Sequence, residues 1–380
     1  MDITITPGKL KGEIRVIPSK SMAHRLLICA AFSDQPTQLV CPETNRDIEA
    51  TVDCLRSLGA YIQRTDSGYA VAPITQIPGS AVLNCCESGS TLRFMLPIVG
   101  ALGVNATFVM EGRLPERPLS PLWEEMERMG CKLTKDGNTI NCQGKLRQGH
   151  YSIDGGVSSQ FVSGLMFAHW ITGGCTLEIT GQVESKPYIA MTQDAIARFG
   201  DHHSPGYVQV EGDWSNGAFW IAAQFLENDI WVTGLDNTSS QGDRAVVDLI
   251  RKLKAQNATI DASDIPDLVP ILSVVAAAYH GATFTNIQRL RLKESDRVAS
   301  TIAMQESLGG KATATEDTLT VLPCRFPGGV VDSMNDHRIA MSAAIASTIA
   351  SGNVTILGAE CVNKSYPMFW EEFGRLGGKI

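Results

Sequence analysis

The 380-residue sequence has no C-x-x-C pair and no Cys/His spacing of the kind that holds zinc. Its ten cysteines, including the adjacent Cys85 and Cys86, read as reduced thiols of a cytosolic protein. Long apolar runs are missing too. The longest, Leu268 to Tyr279, is too short to cross a bilayer and contains Pro270, so it reads as a buried helix. The opening MDITITPGKLKGEIRV alternates polar and apolar residues, which predicts a strand and argues against a signal peptide. Positive charge is in deficit, with 32 Lys and Arg against 40 Asp and Glu and a net charge of -8. That argues against general binding to nucleic acid or membrane surfaces. Any anion site must be a local cluster of cations in an acidic protein.

What is present is a repeat. An amphipathic helix, a Gly-containing turn and a strand recur as CLRSLGAYIQ from Cys54, EMERMGCKLT from Glu125 and AIARFGDHH from Ala195. They return as LIRKLKAQNATI from Leu249, MQESLGGKAT from Met304 and EEFGRLGGKI at the end. A glycine stops five of the six helices, as a left-handed cap requires, and Gln256-Asn257 serves in the fourth. Each unit reads strand, helix, strand, helix, hairpin; the first runs GEIRVIP, SKSMAHRLLICAAF, TQLVCPE, DIEATVDCLRSLG, AYIQRTDSGYAVAP. The third and fourth units are short of a hairpin, a trimming expected at sheet edges. The last unit ends at GGKI without a hairpin partner, and DITITP is a spare strand at the other end, so the two ends should pair. With 44% hydrophobic residues, the chain can bury two cores. These patterns predict an α/β protein of two domains with three units each. One domain comprises residues 1–18 plus 211–380 and carries both termini; the other is inserted at 19–210. A hinged cleft is expected between them.

Unusual polar residues gather at the helix starts. They are PSKSMAHR (Pro18–Arg25), ESGSTLR (Glu87–Arg93), LPERP (Leu114–Pro118), GGVSSQF (Gly155–Phe161), ESKPY (Glu184–Tyr188), SDIPD (Ser263–Asp267), LKESDR (Leu292–Arg297), NDHR (Asn335–Arg338) and NKSYP (Asn363–Pro367). Helix N-termini carry unpaired N–H groups and partial positive charge, which suits anions. Taken singly, SKS and SSQ are ordinary serine caps, and Lys364 alone is a surface lysine. Taken together, Lys20, Arg25, Arg93, Arg117, Lys293, Arg297, Arg338 and Lys364 fall at equivalent points of the repeat and describe a site for polyanionic ligands. Lys293 and Arg297 pose a specific question, since two like charges four residues apart repel on a helix face unless an anion lies between them.

These motifs, in this order, resemble the 5-enolpyruvylshikimate-3-phosphate synthase family of enolpyruvyl transferases, over nearly the whole chain. The resemblance implies two domains of three βαβαββ units each, around a pseudo-threefold axis. It implies transfer of the enolpyruvyl group of phosphoenolpyruvate to the 5-hydroxyl of shikimate 3-phosphate, through a tetrahedral ketal and with release of phosphate. No metal or organic cofactor is implied, and the family is usually monomeric. By motif, Lys20, Gly89, Ser90, Arg117, Gln160, Arg297, Arg338 and Lys364 would bind phosphoenolpyruvate. Lys20, Ser21, Arg25, Ser158, Ser159, Gln160, Ser185, Tyr188, Asp267 and Lys293 would bind shikimate 3-phosphate. Asp267 would accept the hydroxyl proton, and Glu294, sharing the task with Lys20, would deliver a proton to the methylene carbon. Departures are Glu87, where the family has Asn, Phe94 for a loop Pro, and Arg289 for an Asn. Two alternatives are a sister transferase acting on UDP-N-acetylglucosamine and a non-catalytic anion-binding paralogue. Against the first, the Lys-Asn pair is Lys20-Ser21 here and the loop GRLPERPLSPL has no Cys. Against the second, Asp267 and Glu294 serve no purpose in a mere anion binder.

Overall fold

The computed structural model describes residues 1–380. The chain divides into two compact units, Met1–Ile17 with Gly212–Ile380, and Pro18–Glu211.

In Pro18–Glu211, one four-stranded sheet runs in the order Tyr207–Gln209, Thr37–Val40, Gly68–Ala72, Tyr61–Thr65. A second runs Ser80–Asn84, Asn105–Val109, Thr139–Gly144, Cys131–Asp136. In both, the first pair is parallel and the rest are antiparallel. The third sheet has only Gly149–Asp154 and Cys175–Thr180, in parallel, so the hairpin missing from the sequence is missing from the sheet.

The unit holding the termini repeats this plan. Ala258–Asp261, Ala282–Thr285, Thr318–Val321 and Ala312–Ala314 form its four-stranded sheet. Lys11–Arg15 and Asp229–Thr233 form a two-stranded one. Gly329–Asp332, Val354–Leu357 and Ile3–Ile5 form a third, which the bridge between Thr6 and Lys379 extends, so the chain ends do pair.

Three details of the sequence reading need correction. The strand GEIRVIP does not open the first repeat; Lys11–Arg15 pairs with Asp229–Thr233, and Tyr207–Gln209 takes the first position instead. The chain passes between units just after each of these strands, so each remains in the unit it leaves. Likewise ATID is not a shortened hairpin of the fourth repeat, because Ala258–Asp261 is the opening strand of the fifth. Finally, five turn glycines do adopt positive φ (Gly59, Gly130, Gly200, Gly309 and Gly377), but Gln256 is extended at φ -164, ψ 166. Its N–H still reaches Lys252 O, so the fourth helix closes without a left-handed residue.

Each unit has its own core. The helices Gly89–Leu102, Val269–Ala278 and His337–Ser347 are buried almost along their whole length, since a helix apolar on all sides must lie inside. Such helices have no solvated flank for charged residues. Side-chain caps hold the first turns of two of them, Gly89–Leu102 and His337–Ser347, and of three further helices that start at Lys20, Ser159 and Arg297. Ser19 accepts from Met22 N, Ser88 from Thr91 N, Ser158 from Gln160 N, Asp296 from Val298 N and Ala299 N, and Asp336 from Arg338 N.

Candidate active site

In the unit that holds the termini, the charged motifs converge on Arg297, the first residue of the helix Arg297–Ser307. Its side chain is 1% exposed, and each of its three nitrogens serves a different carboxylate. Nε donates to Asp336 Oδ2 at 2.9 Å, Nη1 to Asp267 Oδ1 at 2.5 Å and Nη2 to Glu294 Oε2 at 2.6 Å. Asp267 also accepts from Arg338 Nη2 at 3.0 Å, and its Oδ1 lies 3.9 Å from Lys293 Nζ. The anion between the like charges Lys293 and Arg297 is thus Asp267. The two cations do not share a helix face, because Lys293 is extended and the helix begins only at Arg297. Lys364 Nζ donates to Asn335 O at 3.0 Å, next to the start of the His337–Ser347 helix.

Burial pushes the Asp267 carboxyl up, but Arg338, Arg297 and Lys293 outweigh it and hold the group well below the usual carboxylate range. Burial pushes the Lys293 ammonium down to about 8, against the pull of Asp267. Arg297 is driven the other way: its three carboxylates more than offset burial and keep it firmly cationic. Three carboxylates here face three cations, Lys293, Arg297 and Arg338. Most of the positive charge in this cluster is therefore already paired, so it is not the bare cationic cluster that the sequence suggests.

In the unit Pro18–Glu211, the site residues expected from the sequence gather around the helix starts at Lys20, Gly89 and Ser159. Lys20 Nζ donates to Asp47 Oδ2 at 2.9 Å. Arg25 is buried, and its hydrogen-bond partners are all neutral: Thr192 Oγ1 at 2.8 Å, Ser21 O at 2.7 Å and Tyr188 O at 2.8 Å. Burial pushes its guanidinium down to about 10, so it remains charged at neutral pH. Arg25 therefore gathers the motifs SKSMAHR and SKPY around a buried cation that no carboxylate neutralises. Arg93 Nη1 donates to Gln160 Oε1 at 2.8 Å, and Gln160 Nε2 donates to Ser90 Oγ at 2.9 Å. Gly89 lets two guanidinium groups lie close over the chain: a Cβ there would lie 2.6 Å from Arg117 Nη1 and 2.8 Å from Arg93 Nη1. Ser185, before the helix Lys186–Phe199, is left-handed at φ 54, ψ 40, a conformation that non-glycine residues adopt at a cost.

The departures from the family pattern also have places. Phe94 is fully buried, with the Arg25 guanidinium 5.0 Å above its ring and Phe167 at its edge. The Glu87 carboxylate lies against Gly112, where a Cβ would collide with its Oε1. Arg289 lies near enough to Lys293 to disfavour its charge. Among the residues that sequence reasoning passed over, Asp47 pairs with Lys20, and Asp336 and Ser295 support Arg297 from behind. Asp336 could have been found as the cap within NDHR. Asp47 carries no motif signal.

The sequence model of the family described as EPSP synthase (3-phosphoshikimate 1-carboxyvinyltransferase) matches residues 5–373. A protein named 3-phosphoshikimate 1-carboxyvinyltransferase from Clostridium kluyveri is 36% identical over 416 residues, covering 100% of this chain and 98% of the relative. One of the same name from Clostridium beijerinckii is 37% identical over 425 residues, covering 99% and 98%. Both alignments are longer than this 380-residue chain, so the relatives carry segments it lacks, consistent with the two trimmed repeats. In fold, the chain is similar to the solved EPSP synthase from Acinetobacter baumannii, with a TM-score of 0.78 at 22% identity and coverage of 99% of this chain and 98% of that one. These matches do not favour the sugar-nucleotide alternative. Full-length coverage by the family's own sequence model, together with relatives above a third identical, establishes that this chain belongs to the EPSP synthase family.

Proposed function

We propose that this chain transfers the enolpyruvyl group of phosphoenolpyruvate to the 5-hydroxyl of shikimate 3-phosphate and releases phosphate, as the names of its full-length relatives imply. The carrying observation is that one buried arginine, Arg297, holds both carboxylates that the chemistry needs, Asp267 and Glu294. The reaction is addition followed by elimination. The 5-hydroxyl oxygen bonds to C2 of phosphoenolpyruvate while Asp267 takes its proton and Glu294, assisted by Lys20, protonates the methylene carbon. The ketal then loses phosphate from C2, and a methyl proton returns to Glu294 as the double bond re-forms. Such paired duties require two carboxyls in different environments.

The electrostatics supply a way to switch these groups on. Without ligand, Arg297 and Arg338 are committed to protein carboxylates, which makes Asp267 a weak base. Phosphoenolpyruvate, bound by Lys20, Gly89, Ser90, Arg117, Gln160, Arg297, Arg338 and Lys364, would draw guanidinium charge toward its own anionic groups. Asp267 then gains basicity, and Glu294, the most exposed of the three carboxylates at 24%, is released to carry a proton. Shikimate 3-phosphate would be held by Lys20, Ser21, Arg25, Ser158, Ser159, Gln160, Ser185, Tyr188, Asp267 and Lys293. The uncompensated charge of Arg25 favours an anionic ligand in the unit Pro18–Glu211.

We further infer two domains, one carrying both termini and one inserted, and a monomeric cytoplasmic enzyme. No helix is long and apolar enough to cross a membrane. The reaction requires no metal or organic cofactor. Phosphate release with phosphoenolpyruvate and shikimate 3-phosphate, compared with UDP-N-acetylglucosamine as acceptor, tests the assignment. Release with the sugar nucleotide alone, or with neither, would refute it.

A further inference from the structure

A fourth carboxylate belongs to this site. Asp243, in the short helical turn Gly242–Ala245, is 2% exposed. Its Oδ2 accepts a hydrogen bond from Ser215 Oγ, and its Oδ1 is buried without a partner. Ser215 is also the residue whose carbonyl oxygen accepts from Arg338 Nη1 at 3.2 Å, while Arg338 Nη2 donates to Asp267 at 3.0 Å. Asp243, Ser215, Arg338 and Asp267 thus form one line of contacts. At its far end, the guanidinium is committed to Asp267, and the Asp243 carboxyl group is left with the Ser215 hydroxyl as its only hydrogen-bond partner.

We propose that Asp243 is a positioning residue for Arg338: as a neutral acid it fixes Ser215, whose carbonyl aims the guanidinium, and when ionised it competes for that guanidinium with the incoming substrate anion. The proposal rests on the reading that Arg338 binds phosphoenolpyruvate.

The charged groups around Asp243 all bear on its ionisation. Burial acts first and disfavours the carboxylate; Asp267 and Asp213, the cap of the helix Trp214–Phe225, disfavour it further; Arg338 and the Ser215 hydrogen bond oppose them. The balance pushes the group up to about 7. Asp243 is therefore mostly neutral below that pH and mostly ionised above it. Ionisation places a second buried negative charge beside Arg338, which a neighbouring anionic ligand must overcome.

The test is the pH dependence of KM for phosphoenolpyruvate at saturating shikimate 3-phosphate. In the parent enzyme, KM should rise about fivefold or more between about pH 6 and about pH 8.5 as the carboxylate forms. In Asp243→Asn, which cannot ionise, that rise should be absent. In Asp243→Ala, which loses the support of Ser215, KM should be raised across the whole range. A parent KM that stays flat overturns the proposal without recourse to any variant, as do equal slopes in the parent and Asp243→Asn. Calorimetry of shikimate 3-phosphate binding, which does not involve Arg338, separates a misfolded variant from a misaligned guanidinium. If Arg338→Ala leaves KM for phosphoenolpyruvate unchanged, the underlying assignment of Arg338 fails, and not the coupling to Asp243.

Discussion

Glu294 Oε2 accepts a hydrogen bond from Arg297 Nη2 at 2.6 Å, three residues along the chain. The contact gives Glu294 an evident structural task, and a scaffold role competes with a catalytic one. The two predict different losses. Gln at this position keeps the shape and an oxygen acceptor but cannot deliver an acidic proton. If Glu294 is the acid, Glu294→Gln lowers turnover by about 100-fold or more with little change in shikimate 3-phosphate affinity. Turnover near the parent rate with weakened binding would make Glu294 a scaffold and move attention to Lys20.

Lys293 brings a second pH dependence, in the other ligand. Burial lowers its ammonium to about 8, so the group is cationic below that pH and neutral above it. Its attraction for shikimate 3-phosphate is fully present on the acid side and is lost as pH rises through and beyond about 8, the bound anion moving the midpoint upward. Calorimetric titrations across this range should show that loss in the parent. Lys293→Met should bind weakly at every pH and show no such step; a step that persists in Lys293→Met belongs to another group.

A methyl group at Gly89 would meet the ends of two arginine side chains. A Cβ would sit 2.6 Å from Arg117 Nη1, so Gly89→Ala must displace the guanidinium we assign to phosphoenolpyruvate. KM for phosphoenolpyruvate should rise on the order of tenfold, a loss of about 1.4 kcal/mol of binding, while shikimate 3-phosphate affinity holds. An unchanged KM would show that Arg117 does not contact that ligand.

Much of this architecture is legible in the chain because it is local. Turn glycines, capping serines and the buried run from Leu268 announce their elements within a few residues. The swapped strands are not local. GEIRVIP has the same alternating pattern whichever sheet receives it, and only the point where the chain changes units decides between Thr37–Val40 and Asp229–Thr233. The candidate site divides along the same line. Asp267, Glu294, Arg297 and Arg338 stand out as charges in motifs at helix starts. Asp47 lies 27 residues from Lys20 and Asp243 lies 28 from Ser215, and neither carries a mark that separates it from other acids in an acidic chain. For the same reason, sequence shows the cations but not that carboxylates already neutralise most of those in the unit that holds the termini. Pairing is a property of the folded contacts.

The most direct test of the account follows phosphoenolpyruvate labelled with carbon-13 at C2 and C3 by NMR, in heavy water, with enzyme and shikimate 3-phosphate. The account predicts that the labelled carbons reappear as an enol ether on shikimate 3-phosphate, in step with free phosphate. Deuterium should enter the methylene carbon, because that carbon passes through a methyl group. No enol ether with this acceptor, or its formation only with UDP-N-acetylglucosamine, would contradict the assignment, and an enol ether free of deuterium would contradict the addition–elimination mechanism.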